Sequence, residues 1–206
     1  MAQPKITFNY KAMELSLQKS IEAASLLPAR AIAKERFEEE LGRLVESVID
    51  DTASQEILAG PSAEKSKFIK GKWSKIHGGN LYSFIGFYAE EQNPINQLVS
   101  YLDKSFKIKL DAKLVKNKYI FRTVIPPISK IYKDFPLPGY FAGRSWIKAI
   151  ESNMTNIVHY MKKSWPGSKS GEGIQIKNTI PGKIFKPKKD FFTSKYEDFI
   201  KRLRGR

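Results

Sequence analysis

Apolar residues recur at helical spacing along the first fifty residues of the chain. One set is spaced four, four and three residues apart and predicts a helix over 11–27: Met13, Leu17, Ile21 and Ala24. A second set predicts a helix over about 29–49: Phe37, Leu41, Leu44, Val45 and Val48. Pro28 stands between the two and is expected to break or kink the chain, because proline lacks the amide donor and clashes with the preceding turn.

The most regular helical pattern lies later and predicts a helix over 144–162 with a core-facing stripe. That stripe is Trp146, Ile147, Ile150, Met154, Ile157, Val158 and Met161. Pro166 and Gly167 follow it and cannot continue a helix. Shorter helices are predicted from Pro94 to about Leu102, over 128–134, and near 193–203, where an amphipathic pattern closes the chain.

Strand patterns fall between these helices. Residues 81–88 are rich in aromatic and β-branched side chains on both alternating faces, which predicts a central strand. Alternation over 106–110 and 119–123 predicts a β-hairpin, and 174–177 predicts another strand after a glycine-rich loop. Residues 52–80 look irregular. The predicted fold is α+β: N-terminal helices, a mostly antiparallel sheet packed against the long helix, and a basic C-terminal arm and helix. The predicted regions are 1–51, 52–182 and 183–206.

Composition narrows the classes of function. The chain has 206 residues and no cysteine, which excludes disulfides, thiolate metal sites and cysteine nucleophiles. No run of about 18 apolar residues is present, so no membrane span is expected. The first eleven residues lack the apolar core of a secretory signal. These features are compatible with a reducing cytosol.

The net charge of +15 is unevenly distributed. Residues 1–64 carry 7 Lys and Arg against 11 Asp and Glu, whereas the remainder carries 29 against 10, so the two parts have net charges of −4 and +19. Most of the cations are lysines, which favour general electrostatic attraction over sequence reading. This asymmetry suggests that the two parts face different neighbours, and Glu38, Glu39 and Glu40 are expected on a solvated helix face.

Candidate chemistry is sparse. Gln175 and Lys177 alternate on a predicted strand as in some metal-dependent nucleases, but Gln175 is neutral. A metal would then need carboxylates from elsewhere, and the candidates are Glu172, Asp111 and Asp134. His77 and His159 show no ligand or catalytic spacing and are interpreted as structural or surface residues. We therefore expect no enzymatic activity, no cofactor and no metal.

A nucleic-acid-binding function is the main alternative. Residues 183–202 interleave lysines with aromatic residues, and exposed aromatics among lysines can stack on bases. The competing interpretation is a basic arm whose aromatics pack on the domain or on a neighbouring subunit. It is favoured because no known nucleic-acid-binding motif is present.

Several segments in order resemble tailed-bacteriophage neck or tail-completion proteins, which join the head to the tail. They are TASQEILAGPSAEKS, GGNLYSFIGF, NPINQL, PLPGYFAGRSW, SKSGEGIQIK and FFTSKYEDFIKRL. The resemblance covers about residues 52–203. It implies a non-enzymatic α+β protein that forms a homo-oligomeric ring around the DNA channel, contacts other neck or tail proteins, and belongs to a virion assembled in the bacterial cytoplasm.

Under this resemblance, the candidate residues are contacts with other subunits or partners. They are Glu38, Glu39, Glu40, Lys169, Glu172, Lys186, Lys188, Lys189, Phe191 and Phe192. The glycine-rich loop before residue 174 is a predicted assembly contact. If the protein forms a ring, the hypothesis is that the acidic helical part of one subunit meets the basic part of another or of an adjacent ring. Non-specific DNA contact in the channel is a further expectation.

Overall fold

In the computed structural model of the protein, helices dominate the described residues, which also form two small sheets. The structure describes residues 10–63, 66–69, 80–87, 92–115, 118–138, 144–152, 161–162, 174–175 and 186–205. The helices are α1 (Tyr10–Ile49), α2 (Thr52–Leu58), α3 (Leu81–Ile85), α4 (Pro94–Ser105), α5 (Ile128–Asp134), α6 (Trp146–Glu151) and α7 (Thr193–Leu203). The strands are β1 (Lys107–Val115), β2 (Lys118–Val124), β3 (Met161–Lys162) and β4 (Ile174–Gln175). The predicted α+β class is confirmed.

The strands form two separate two-stranded sheets. β1 pairs with β2, and the two-residue connection makes this pair a hairpin. β3 pairs with β4 antiparallel, with Met161 opposite Gln175 and Lys162 opposite Ile174. The predicted hairpin is therefore confirmed, and the predicted strand at 174–177 is confirmed over its first two residues.

The chain divides into two compact units. Unit 1 contains Met1–Glu39 and Ile108–Val124, and unit 2 contains Glu40–Lys107 and Ile125–Arg206. α1 contributes its first part to unit 1 and its last part to unit 2. The hairpin lies almost entirely in unit 1 and α6 lies in unit 2. The predicted boundaries at 51–52 and 182–183 stay predictions.

The two predicted N-terminal helices are one helix, so of the predicted break or kink at Pro28 the break is wrong. α1 runs for 40 residues with Pro28 inside it. The proline removes one backbone hydrogen bond, but its side chain and that of Ala24 are exposed, so water can reach the freed carbonyl group. In the later part of α1 the predicted apolar stripe is confirmed, because Phe37, Leu44 and Val48 are buried.

The predicted central strand at 81–88 is also wrong over residues 81–87, and Tyr88 lies outside the described residues. Residues Leu81–Ile85 form the short helix α3. Asn80 caps its start by accepting a hydrogen bond from the Ser83 amide at 2.9 Å. Gly86 ends it in a left-handed conformation with φ of 88°, which side chains with a Cβ rarely adopt. Two local caps thus override the strand propensity of the aromatic residues.

The segment predicted to be irregular begins with a helix instead. Asp51 caps α2 by accepting from the Ala53 amide at 2.9 Å, and a 3₁₀ turn follows at Gly60–Ser62. The helix predicted over 144–162 begins at Trp146 and is described to Glu151. Met161 and Lys162 are a β-strand, so that end of the prediction is wrong, and residues 153–160 lie outside the described residues.

In unit 2, the side chain of Trp146 is 2% exposed and contacts three other aromatic rings. Its ring lies 5.6 Å from Phe87, 6.2 Å from Phe135 and 6.0 Å from Phe191, measured between centroids. The helices predicted at 94–102, 128–134 and 193–203 are confirmed as α4, α5 and α7. Among the described residues, none of the helices has the length and apolar character needed to cross a bilayer.

Candidate functional site

The C-terminal segment, residues 186–205, packs into unit 2. Backbone hydrogen bonds join the Lys186 amide to the Phe68 carbonyl at 2.8 Å and the Lys188 amide to the Ile150 carbonyl at 2.9 Å. The side chains of Phe191, Phe192 and Phe199 have no solvent exposure. Phe191 and Phe192 are therefore core residues, and the prediction that they contact a partner is wrong. The interpretation that the arm's aromatics pack on the domain is confirmed for these residues.

Asp51 holds this segment through two lysines. Its Oδ2 lies 2.7 Å from Lys195 Nζ and 3.4 Å from Lys188 Nζ, while its Oδ1 caps α2. The carboxylate is almost fully buried, so the ion pairs are poorly screened by water. Lys188, a predicted partner contact, is thus engaged within the chain. Lys186 and Lys189 are exposed.

Glu151 holds the start of α7. Its Oε1 accepts hydrogen bonds from the amides of Phe192 and Thr193, and its Oε2 accepts from the hydroxyls of Thr193 and Tyr132. Phe192, the residue before α7, makes no side-chain cap of its own. The carboxylate of a distant residue therefore replaces the missing cap, at the helix end that favours negative charge. Burial, with the nearby Glu151 carboxylate, raises the pKa of Tyr132 to about 12.

Glu40 is the third acid that holds the C-terminal segment. It accepts a hydrogen bond from Arg202 Nε, and its other oxygen lies 3.0 Å from Arg43. Glu40 is 6% exposed, so its predicted place on a solvated face is wrong. Glu38 and Glu39 are exposed, and Glu38 lies 3.7 Å from Lys34. Three buried acids thus bind the C-terminal segment within one subunit.

A fourth acid, Glu56, is half-buried and positions the start of α3. It accepts a hydrogen bond from the Leu81 amide, and burial raises its pKa. The Asn80 side chain donates to the carbonyls of Pro61 and Ala63 at 3.0 and 3.2 Å. These contacts satisfy backbone groups at a helix start and in a turn, which is a structural role.

The nuclease hypothesis gains no support from the described residues. Nowhere in them do three or more His, Asp or Glu side chains come together as metal ligands. Asp134 accepts a hydrogen bond from Tyr101 at 2.8 Å in unit 2, whereas Asp111 lies on β1 in unit 1. The remaining residues of that hypothesis and two predicted contacts lie outside the described residues: His77, His159, Lys169, Glu172 and Lys177.

Exposed apolar side chains are concentrated in unit 1. Every exposed large hydrophobic residue of the described chain belongs to that unit: Leu17, Ile21, Leu27, Ile32, Leu114, Ile120 and Val124. Leu17, Ile21 and Ile32 fall within roughly 60° of one another around α1, at about 100° per residue. This set, the α1 apolar face, is 55–65% exposed. The sequence periodicity predicts that Leu17 and Ile21 lie on one apolar stripe. It does not predict that their side chains are exposed to solvent.

The outer face of the hairpin carries exposed cations. Lys109, Lys113, Lys118 and Arg122 are exposed, and the residues between them are mostly half-buried. Two contacts join α1 to the hairpin: Arg30 Nε donates to the backbone carbonyl of Leu110 at 3.0 Å, and the side-chain hydroxyls of Ser25 and Tyr119 are 2.7 Å apart. α1 therefore covers one face of the hairpin. The sequence predicts its candidate nucleic-acid-binding residues in the C-terminal arm, at 183–202, and not in this hairpin.

Comparison of the chain with protein-family models, with curated proteins and with solved structures gave no match.

Proposed function

We propose that this chain is a non-enzymatic structural protein of a tailed-phage virion, forming a homo-oligomeric ring at the head–tail junction. Its partners are further copies of itself and adjacent neck or tail proteins, and assembly takes place in the host cytoplasm. The ring and its location rest on the resemblance of residues 52–203 to neck and tail-completion proteins. The α1 apolar face is the observation that carries self-assembly.

An uncovered apolar helix face favours association with another protein surface. Leu17, Ile21 and Ile32 lie on a helix whose own unit leaves them exposed. Full burial of an aliphatic side chain stabilises by about 1.5–3 kcal/mol. Because Leu17 and Ile21 are 55% and 61% exposed, covering the exposed part contributes roughly 1–1.5 kcal/mol for each. A second copy is the simplest partner, and a head-to-tail contact between this face and a different surface of the next copy would form a ring if its rotation closes.

The buried acids support a structural role. Glu40, Asp51 and Glu151 are each engaged by cations, hydroxyls or backbone amides that hold the C-terminal segment in place. Both oxygens of each carboxylate contact groups of the same chain. These contacts stabilise the fold. Glu40 and Asp51 also pair the acidic part with the basic part inside one subunit, through Arg202, Lys188 and Lys195.

Sedimentation velocity at micromolar concentration tests self-assembly. The wild-type chain is expected to sediment as an assembly, and Leu17→Ser with Ile21→Ser to shift towards the 23.5 kDa monomer. A loss of about 2–3 kcal/mol weakens each contact roughly 30- to 150-fold. Gln18→Ser with Lys19→Ser alters adjacent exposed positions of the same helix and should leave the assembly unchanged. Circular dichroism verifies that both variants remain helical.

Two results would contradict the proposal. One is a wild-type protein that stays monomeric at these concentrations. The other is an assembly that survives the Leu17 and Ile21 substitutions. Metal-dependent DNA cleavage that is lost in Lys177→Ala would instead favour the nuclease hypothesis.

A further inference from the structure

The cations of the C-terminal segment and those of the hairpin differ in what they contact. Lys188, Lys195 and Arg202 each pair with a buried carboxylate of unit 2. Lys109, Lys113, Lys118 and Arg122 make no ion pair with any residue that the structure describes, and all are exposed. The free positive charge of the hairpin is therefore available to an external anion.

We propose that the outer face of the β1–β2 hairpin binds the phosphate backbone of double-stranded nucleic acid. The four cations of this face, Lys109, Lys113, Lys118 and Arg122, are its binding residues. The inference goes beyond ring assembly and does not depend on it. It also differs from base stacking by the C-terminal arm, because the aromatics Phe191 and Phe192 of that arm are buried.

The pleat of the strands places these cations on one side. Along β1, Lys109 and Lys113 alternate with half-buried Leu110 and Ala112. Along β2, Lys118 and Arg122 alternate with half-buried Tyr119 and Phe121. The contact of the Tyr119 side chain with α1 and the half-burial of Leu110 show which side is covered. The charged side chains must therefore point the other way.

The spacing suits a dense line of negative charge. Residues on one side of a strand repeat about every 6.8 Å, so the backbones of Lys109 and Lys113 are held about 14 Å apart. A duplex carries one phosphate per about 1.7 Å of its axis, or roughly eight over that length. A paired strand keeps the cations at fixed spacing, which lowers the entropy lost on binding. Acidic peptides rarely present charge at this density.

The other residues of this face favour duplex over single strands. Ile120 and Val124 are aliphatic, and Tyr119 and Phe121 lie on the opposite side of β2. No described residue on the outer face offers an aromatic ring for an unpaired base to stack on. Three of the four cations are lysines, which bind phosphate without reading sequence. Asp111, exposed among them, should weaken binding.

Fluorescence anisotropy with a 30-base-pair DNA duplex over 50–200 mM salt tests the proposal. In Lys109→Gln with Lys113→Gln and Lys118→Gln, the slope of log K against log salt should fall by about 2.7, at roughly 0.9 for each lost phosphate contact. Affinity at 100 mM salt should fall at least about tenfold. Asp111→Asn should raise affinity.

A charge-matched control separates this face from the net charge of the protein. Lys130, Lys133 and Lys148 are exposed lysines of unit 2 without an ion pair among the described residues. Changing these three to Gln removes the same charge, and the slope should fall by less than about 1. All six positions are exposed, so the substitutions should leave stability nearly unchanged, which urea unfolding verifies.

Further probes distinguish the possible ligands. A duplex RNA of the same length should bind with a similar salt slope, because both duplexes present phosphate. The proposal is overturned if single-stranded DNA binds more tightly than duplex, or if the hairpin and control variants lose affinity equally. It is also overturned if polyglutamate competes as well as duplex at equal charge, since an acidic protein surface would then be the better partner.

Discussion

Glu151→Ala should release the C-terminal segment from unit 2. Glu151 is 9% exposed and accepts from two backbone amides and two hydroxyl groups. Its removal leaves the buried Phe192 amide without an acceptor, which costs about 1–3 kcal/mol. Loss of negative charge at the start of α7 costs a further 0.3–1 kcal/mol, roughly. With the two hydroxyl hydrogen bonds, we expect a total near 3–4 kcal/mol.

Two assays measure this loss of stability. Urea unfolding should show a lower midpoint, because a few kcal/mol is a large part of the stability of an ordinary domain. Limited trypsin digestion should cleave after Lys195 or Lys201 at least about 100-fold faster, since cleavage follows the population of the opened segment. Both lysines lie in α7, which is protected while the segment is docked.

Two variants calibrate the result. Glu46→Ala removes an exposed carboxylate from α1 and should change stability by less than about 0.5 kcal/mol. Glu151→Gln keeps one carbonyl acceptor and should lie between Glu151→Ala and wild type. If Glu151→Ala stayed within about 1 kcal/mol of wild type and resisted trypsin equally, then Glu151 would not hold the segment and the reasoning would be refuted.

Three other variants test separate parts of the fold. Gly42→Ala should stabilise by about 0.5–1 kcal/mol in urea unfolding, because Gly42 lies in α1 with open space around the added methyl group. Gly86→Ala should destabilise by about 1–2 kcal/mol, because its φ of 88° strains a residue with a Cβ even though Pro138 leaves room. Tyr132→Phe should lessen alkaline destabilisation. The pKa of Tyr132 is raised to about 12, so its stabilising effect is complete below pH 10 and is lost between pH 10 and 12. Because Tyr132 is only half-buried, the effect should be about 1 kcal/mol, visible as a flatter midpoint against pH with tyrosine ionisation followed at 295 nm.

The sequence predicts those elements whose signals are local and agree with one another. α7 shows helical periodicity over its whole length, and the hairpin shows alternation interrupted by a two-residue turn. The sequence signals of the α3 segment conflict with one another, because its aromatic residues favour a strand while Asn80 and Gly86 cap a helix. The caps were visible in the sequence and could have decided the assignment.

The partners of the charged residues could not be predicted. Asp51 and Lys195 are 144 positions apart, and Glu40 and Arg202 are 162 apart. No local pattern links such residues, so acidic and basic segments look equally available to other subunits. Burial in the fold determines which charged residues pair, because a buried carboxylate needs a nearby cation or hydrogen-bond donor. The same long-range packing determines that Phe191 is core while Ile21 is exposed.

Native mass spectrometry of the purified chain tests the central claim most directly, namely that the subunit builds a closed assembly. The account predicts one dominant species above the monomer, at a whole-number multiple of 23.5 kDa, because a ring closes at a single stoichiometry. Monomer alone, or a continuous ladder of sizes from an open polymer, would contradict it.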